Sequence, residues 1–161
     1  MTTERDDLSA TLAIQRHFLR YTVRDLTDEQ AALRPARSEL CLGGLIKHVA
    51  QTEDDWMRFA VGGADAMEID PEERADTFRM TVDDTLAGIL DRYAQVADRT
   101  SELVATLDLD TSYQLPSRPW FEPGASWSVR RVLLHVLRET AQHAGHADIL
   151  RESIDGAKTM G

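Results

Sequence analysis

The stretch ETAQHAGHAD, residues 139–148, carries one glutamate and two histidines among small and apolar neighbours. On a helix of 3.6 residues per turn, Glu139 and His143 stand one turn apart, so their side chains stack on one face and can converge on a single point. That face also carries Val129, Val132, Val136, Ala147, Leu150 and Ile154, which mark it as the side turned to the core. A carboxylate there is costly unless it is paired or coordinated. Two arrangements meet that need: a divalent ion held by Glu139 and His143, or a plain buried pair between the two. His146 lies on the edge of the same face and His135 further round toward solvent.

A third donor comes from LIKHVAQTEDDW, where His48 lies on the flank of an apolar face, on the side of Leu45 and Phe59. Alone it reads as a half-exposed polar residue. Combined with the E-x-x-x-H pair it matches the way bundle cores build metal sites, with ligands projecting from facing helices. Three N and O ligands leave a position open on an ion such as zinc, which is the mark of a catalytic site. There is no H-E-x-x-H, so a zinc protease has no support.

Glu53, with an inward helical angle, is a candidate to orient a ligand or to act as a general base. Arg130, Arg131 and Arg138 are candidates to bind carboxylates of a thiol cofactor or an acidic substrate, against the plainer reading of surface ion pairs. Cys41 is the single cysteine, so no disulfide forms within the chain, and no base is placed with it by spacing. It reads as structural, and any nucleophilic thiol then has to come from a co-substrate.

Positioning these residues takes helices, and the sequence supplies four long ones. The first covers residues 4–24, with Thr3 as N-cap and Leu8, Leu12, Leu19 and Val23 at helical intervals. Thr27-x-x-Gln30 has the form of a capping box and opens a short connecting helix that Pro35 stops. The second long helix runs 42–61, with Gly62-Gly63 as its stop. Residues 63–80, with Pro71 amid acids, read as a loop holding at most a turn of helix. Thr81-x-x-Asp84 opens the third helix, whose period lasts to about residue 107. Residues 108–125 contain Pro116, Pro119 and Pro123, which argue against a regular element, and a loop of that length serves or covers something. Trp120, Phe121 and Trp127 either lid a pocket there or simply pack the loop. Ser126 or Ser128 caps the fourth helix, which runs to about Ile154 before Asp155-Gly156 ends it. No segment has a period of two. The expected fold is an all-α four-helix bundle with long connections, one domain over residues 1–156 followed by a short frayed tail, 157–161.

Composition narrows the function. The chain has 161 residues, 42% hydrophobic and 29% charged, which suits one soluble globular core. No apolar run nears the roughly 18 residues of a membrane span, and the acidic start MTTERDDLSA is unlike a secretory signal, so a cytoplasmic protein with no membrane partner is expected. A formal charge of −10 repels phosphate backbones and excludes nucleic acid as a partner. A non-catalytic bundle that holds a metal or small molecule, or that pairs its apolar surplus in a homodimer, fits the same composition.

The two stretches LIKHVAQTEDDW and WSVRRVLLHVLRETAQHAGHADILRE, in the second and fourth long helices, resemble the DinB-like superfamily of metal-binding four-helix bundles. Within it they are most similar to the mycothiol S-transferase and mycothiol-dependent maleylpyruvate isomerase relatives. Helix order and length extend the resemblance over nearly the whole chain, and those two stretches make it specific. Many relatives hold their metal with one histidine in helix two and H-x-x-x-H in helix four, whereas the isomerase branch uses E-x-x-x-H. Carried onto this chain, the resemblance implies His48, Glu139 and His143 as ligands, with His146 where the commoner pattern often has glutamine. It implies a divalent ion, zinc or similar, with mycothiol as thiol co-substrate and transfer onto an electrophilic small molecule in detoxification. The chemical logic is that the thiolate is the nucleophile, and a thiol entering an open metal position is deprotonated. The sterol-carrier-like second domain often seen in the isomerase branch has no room in 161 residues, which favours the stand-alone transferase over maleylpyruvate-type isomerisation.

Overall fold

Helix α1 spans Glu4–Tyr21 in the computed structural model, which describes residues 3–67 and 76–159. Thr3 and Asp6 cap it reciprocally: the threonine hydroxyl accepts from the Asp6 amide at 3.2 Å and the aspartate accepts from the Thr3 amide at 2.9 Å. The helix stops short of the expected residue 24 because residues 22–25 tighten into turns, with Asp25 at φ 60°. The Thr27/Gln30 box opens α2 (Asp28–Ala31) as its sequence form predicts. Helix α3 runs Leu42–Gly62, capped by Cys41, whose Sγ accepts from the Gly44 amide at 3.4 Å, and ended by Gly63 at φ 73°. A single 3-10 turn follows at Ala64–Ala66. The rest of the expected loop, including Pro71, lies largely outside the described residues.

Two expectations need correction. Thr81-x-x-Asp84 does not start the third long helix: Asp84 accepts from the Thr81 amide at 2.7 Å to close a turn, and its carboxylate is also held by Lys47 at 2.7 Å. Helix α4 (Leu86–Thr106) begins after that turn, capped by Thr85, whose hydroxyl accepts from the Gly88 amide at 3.1 Å. The proline-rich stretch is not wholly irregular either. It is flanked by an antiparallel pair, β1 (Ser112–Gln114) and β2 (Ser126–Ser128), with Tyr113 opposite Trp127. Tyr113 ties this pair to the bundle by donating its hydroxyl to the Val61 carbonyl at 2.9 Å. Ser128 then caps α5 (Val129–Asp155), which ends at Gly156 in the left-handed conformation, φ 77°. Within residues 157–159 the Thr159 amide donates to Asp148 at 2.8 Å and Arg24 donates to the Lys158 carbonyl at 3.1 Å. Residues 160–161 of the expected tail lie outside the described residues.

Helix α1 packs on α5, and α3 packs on both α4 and α5, which makes an all-α four-helix bundle with a small strand pair at one end. No helix of the described residues is long and apolar enough to cross a membrane. The core falls into two apolar clusters. One gathers Leu19, Leu45, Ile46, Ile89, Tyr93 and Leu150, and the other Leu12, Met57, Phe59, Val104, Val132 and Val136. Between them the helices turn polar at one level, where Arg16, Glu53, Thr140 and His143 are all buried. Buried polar groups have to be satisfied. Arg16 Nε donates to Glu53 Oε2 at 3.1 Å while its terminal nitrogen pairs with Oε1, and the Thr140 hydroxyl donates to the Val136 carbonyl at 2.9 Å.

Candidate metal centre

At this polar waist His48 of α3 meets Glu139 and His143 of α5. Each offers one donor atom, and the three lie within 4.8 Å of one another. His143 Nε2 is 3.6 Å from Glu139 Oε2, and the His48 and His143 rings meet edge-on with centroids 5.0 Å apart. A four-coordinate ion with bonds of about 2.0–2.1 Å sets its ligand atoms roughly 3.4 Å apart, which the Glu139–His143 pair at 3.6 Å approaches, and His48 completes the set within 4.8 Å. Two imidazoles and a carboxylate form a donor set suited to zinc and its neighbours.

The surroundings fix each donor. His48 is only 7% exposed, deeper than its flank position predicts, because residues 77–78 close over that side. Thr77 Oγ1 lies 3.2 Å from His48 Nδ1, and the Phe78 ring stacks on the imidazole at 3.8 Å. Gly44 permits this approach, since a Cβ there would collide with the Phe78 backbone. Gly44→Ala is therefore expected to cost about 1–3 kcal/mol of stability, read by denaturant titration. Unaltered stability would mean that the segment seats itself on α3 without that contact.

Burial pushes the His143 imidazole below its usual pKa, with Glu139 opposing the shift and His146 adding to it. The ring is thus biased to the neutral form that a metal ligand requires. His143 Nδ1 lies 3.3 Å from His146 Nδ1, so one of the two nitrogens carries a proton for the other, and His146 holds the far side of the His143 ring. Glu139 gives Oε1 to the Arg138 guanidinium and leaves Oε2 toward His143, while the same Arg138 nitrogen sits 3.2 Å from His135 Nδ1.

The remaining candidates divide. Glu53 is not brought to this cluster: it is fully buried against Arg16. The signal for that partner was in the sequence, since Arg16 sits four residues after Leu12 on the apolar stripe of α1. Arg130 does not line the site but pairs at the surface with Glu4, at 2.6 Å, and with Asp110. Cys41 is buried as the cap of α3, its Sγ 3.8 Å from the Phe78 carbonyl. Arg131 and Arg138, by contrast, line a cleft of about 490 Å³ that includes His48 and Glu139. Trp56 and Trp127 stack there with centroids 4.7 Å apart, and Phe121 lies edge-on to both. Trp120 stands at the rim, 66% exposed. His135, assigned to the solvent side from its helical angle, is half-buried and packs on Trp56 at 4.7 Å, because β2 and the loop before it cover that side of α5. Thr77 and Phe78 carry no motif that would have found them. Arg118, also in the cleft, is marked in the sequence only by lying between Pro116 and Pro119.

Fold and site together define a DinB-like four-helix bundle with a His–Glu–His cluster beside an aromatic cleft. The model of the mycothiol-S-transferase family matches residues 7–156, and the chain belongs to that family. The crystal structure of a conserved protein from Enterococcus faecalis is similar in fold, with a TM-score of 0.71 over 98% of this chain and 100% of that one at 16% identity. Among curated proteins none matches the chain.

Proposed function

We propose that the protein joins a low-molecular-weight thiol, mycothiol, to an electrophilic small molecule, with a divalent ion, zinc foremost, held by His48, Glu139 and His143. The observation that carries this reading is the convergence of those three donors, two of which, His48 and Glu139, line an aromatic cleft. A bound ion would supply the Lewis acidity that keeps a thiol in its open position as the thiolate. The protein's own groups do the rest. His146 and Thr77 orient the two imidazoles, and Arg138 shares the charge of Glu139 and keeps one carboxylate oxygen turned to the cluster. Trp56, Trp127 and Phe121 form an apolar wall that receives the electrophile and thins out water around the sulfur. Cys41, buried beneath Phe78, leaves the nucleophilic role to the co-substrate. Such a reaction serves detoxification in the cytoplasm.

The test compares zinc-loaded, chelator-stripped and zinc-restored protein with mycothiol and 1-chloro-2,4-dinitrobenzene. Thioether formation above the uncatalysed rate is expected in the first and third samples and not in the second. Turnover that survives stripping would remove the metal from the reading. Zinc bound at one equivalent without turnover would leave a metal-binding bundle in place of an enzyme.

A further inference from the structure

Arg118 and Arg131 have no carboxylate partner among the described residues, in a chain whose formal charge is −10. Other arginines nearby are engaged: Arg130 by Glu4 and Asp110, and Arg138 by Glu139. Arg131 moreover stands in the first turn of α5, where the positive end of the helix dipole disfavours a cation. Arg130, its neighbour in that turn, is compensated by two carboxylates. Among the described residues the Arg131 guanidinium has only the face of Trp127, with its central carbon 5.1 Å from the ring centroid. An uncompensated guanidinium at the unfavourable end of a helix, sharing a cleft with a second one, makes a place that an anion would relieve. Trp127 links this place to the apolar wall, since the ring of Trp56 stacks on it and Phe121 lies edge-on to it.

We infer that the cleft selects electrophiles with a flat apolar body and a carboxylate, the body lying on Trp127 and Trp56 and the carboxylate seated on Arg118 and Arg131. A guanidinium offers a planar fork of donors that matches a carboxylate, which an ammonium would not. This specificity rests on the thiol-transfer reading and deepens it. In the reaction the thiolate sulfur forms a bond to the ring carbon that carries chlorine, and the C–Cl bond breaks with its electron pair leaving as chloride. The proton of the thiol goes to buffer.

The experiment uses zinc-loaded protein, mycothiol and a matched pair of electrophiles, 4-chloro-3,5-dinitrobenzoate and 1-chloro-2,4-dinitrobenzene, each kcat/KM divided by its own uncatalysed rate constant. The normalised ratio is expected to favour the benzoate by at least about tenfold and to fall toward one in the Arg118→Gln/Arg131→Gln variant. A ratio near one in the wild type, or a preference that survives in the variant, overturns the assignment while leaving thiol transfer standing. Tryptophan fluorescence quenching by 3,5-dinitrobenzoate against 1,3-dinitrobenzene reads the same seat without turnover. If neither electrophile is conjugated, tighter binding of the benzoate that is lost in the variant upholds the anion seat and sinks the transferase reading. Equal binding of both compounds then sinks the two together.

Discussion

His143→Ala is expected to weaken zinc binding by more than the roughly 10–100-fold that loss of an orienting partner costs, because it removes a donor outright. His146→Ala touches only the far side of the His143 ring, so its loss should fall within that range. The contrast between the two is the informative quantity, and competition against a chromophoric chelator measures both. Glu139→Ala and His48→Ala should follow His143→Ala. The reading would be sunk by affinities equal across all four variants, since the ion would then be held elsewhere. In that case Glu139 and His143 would remain as the plain buried pair that their spacing equally permits.

Glu53→Ala should produce the largest loss of stability, about 3–5 kcal/mol, because it leaves the Arg16 guanidinium buried without a partner. Replacing both members of the pair with apolar residues, Arg16→Met with Glu53→Leu, should recover most of that loss, since neither charge is then stranded. Denaturant titration of the two variants decides the point. Zinc affinity of the folded Glu53→Ala protein should match the wild type. A stable variant that had lost thiol transfer would return Glu53 to the general-base role that its helical angle suggests.

Helix ends were legible wherever a cap is local, as at Thr3, Thr27, Ser128 and Gly156, because side chain and amide lie within three or four residues of each other. The same signal misled at Thr81-x-x-Asp84, where the Asp84 amide donates to the Thr81 carbonyl instead of its hydroxyl and so closes a turn, while Lys47, far away in sequence, pairs with the same carboxylate oxygen that accepts from Thr81. The strands escaped notice because three residues are too few to display alternation. Periodicity places a residue on a face of its own helix and says nothing of what packs there. Glu139 and His143 were found because one face held both. His48 proved deeper and His135 less exposed than their angles implied, for each is covered by a segment distant in sequence. Glu53 faces inward as its helical angle predicts, but its partner is Arg16 on α1.

The donors and the cleft wall come from different parts of the chain. His48, Glu139 and His143 stand on two long helices, whereas Phe121, Trp120 and Arg118 belong to the proline-rich loop that β1 and β2 hold by its ends. On the proposed thiol-transfer reading, substitution within residues 115–125 therefore alters which molecules are accepted without disturbing the donors. Descendants of one such bundle are free to diversify in what they accept while the chemistry stays fixed, and a library confined to that loop is the natural place to begin redesigning the protein for a new compound.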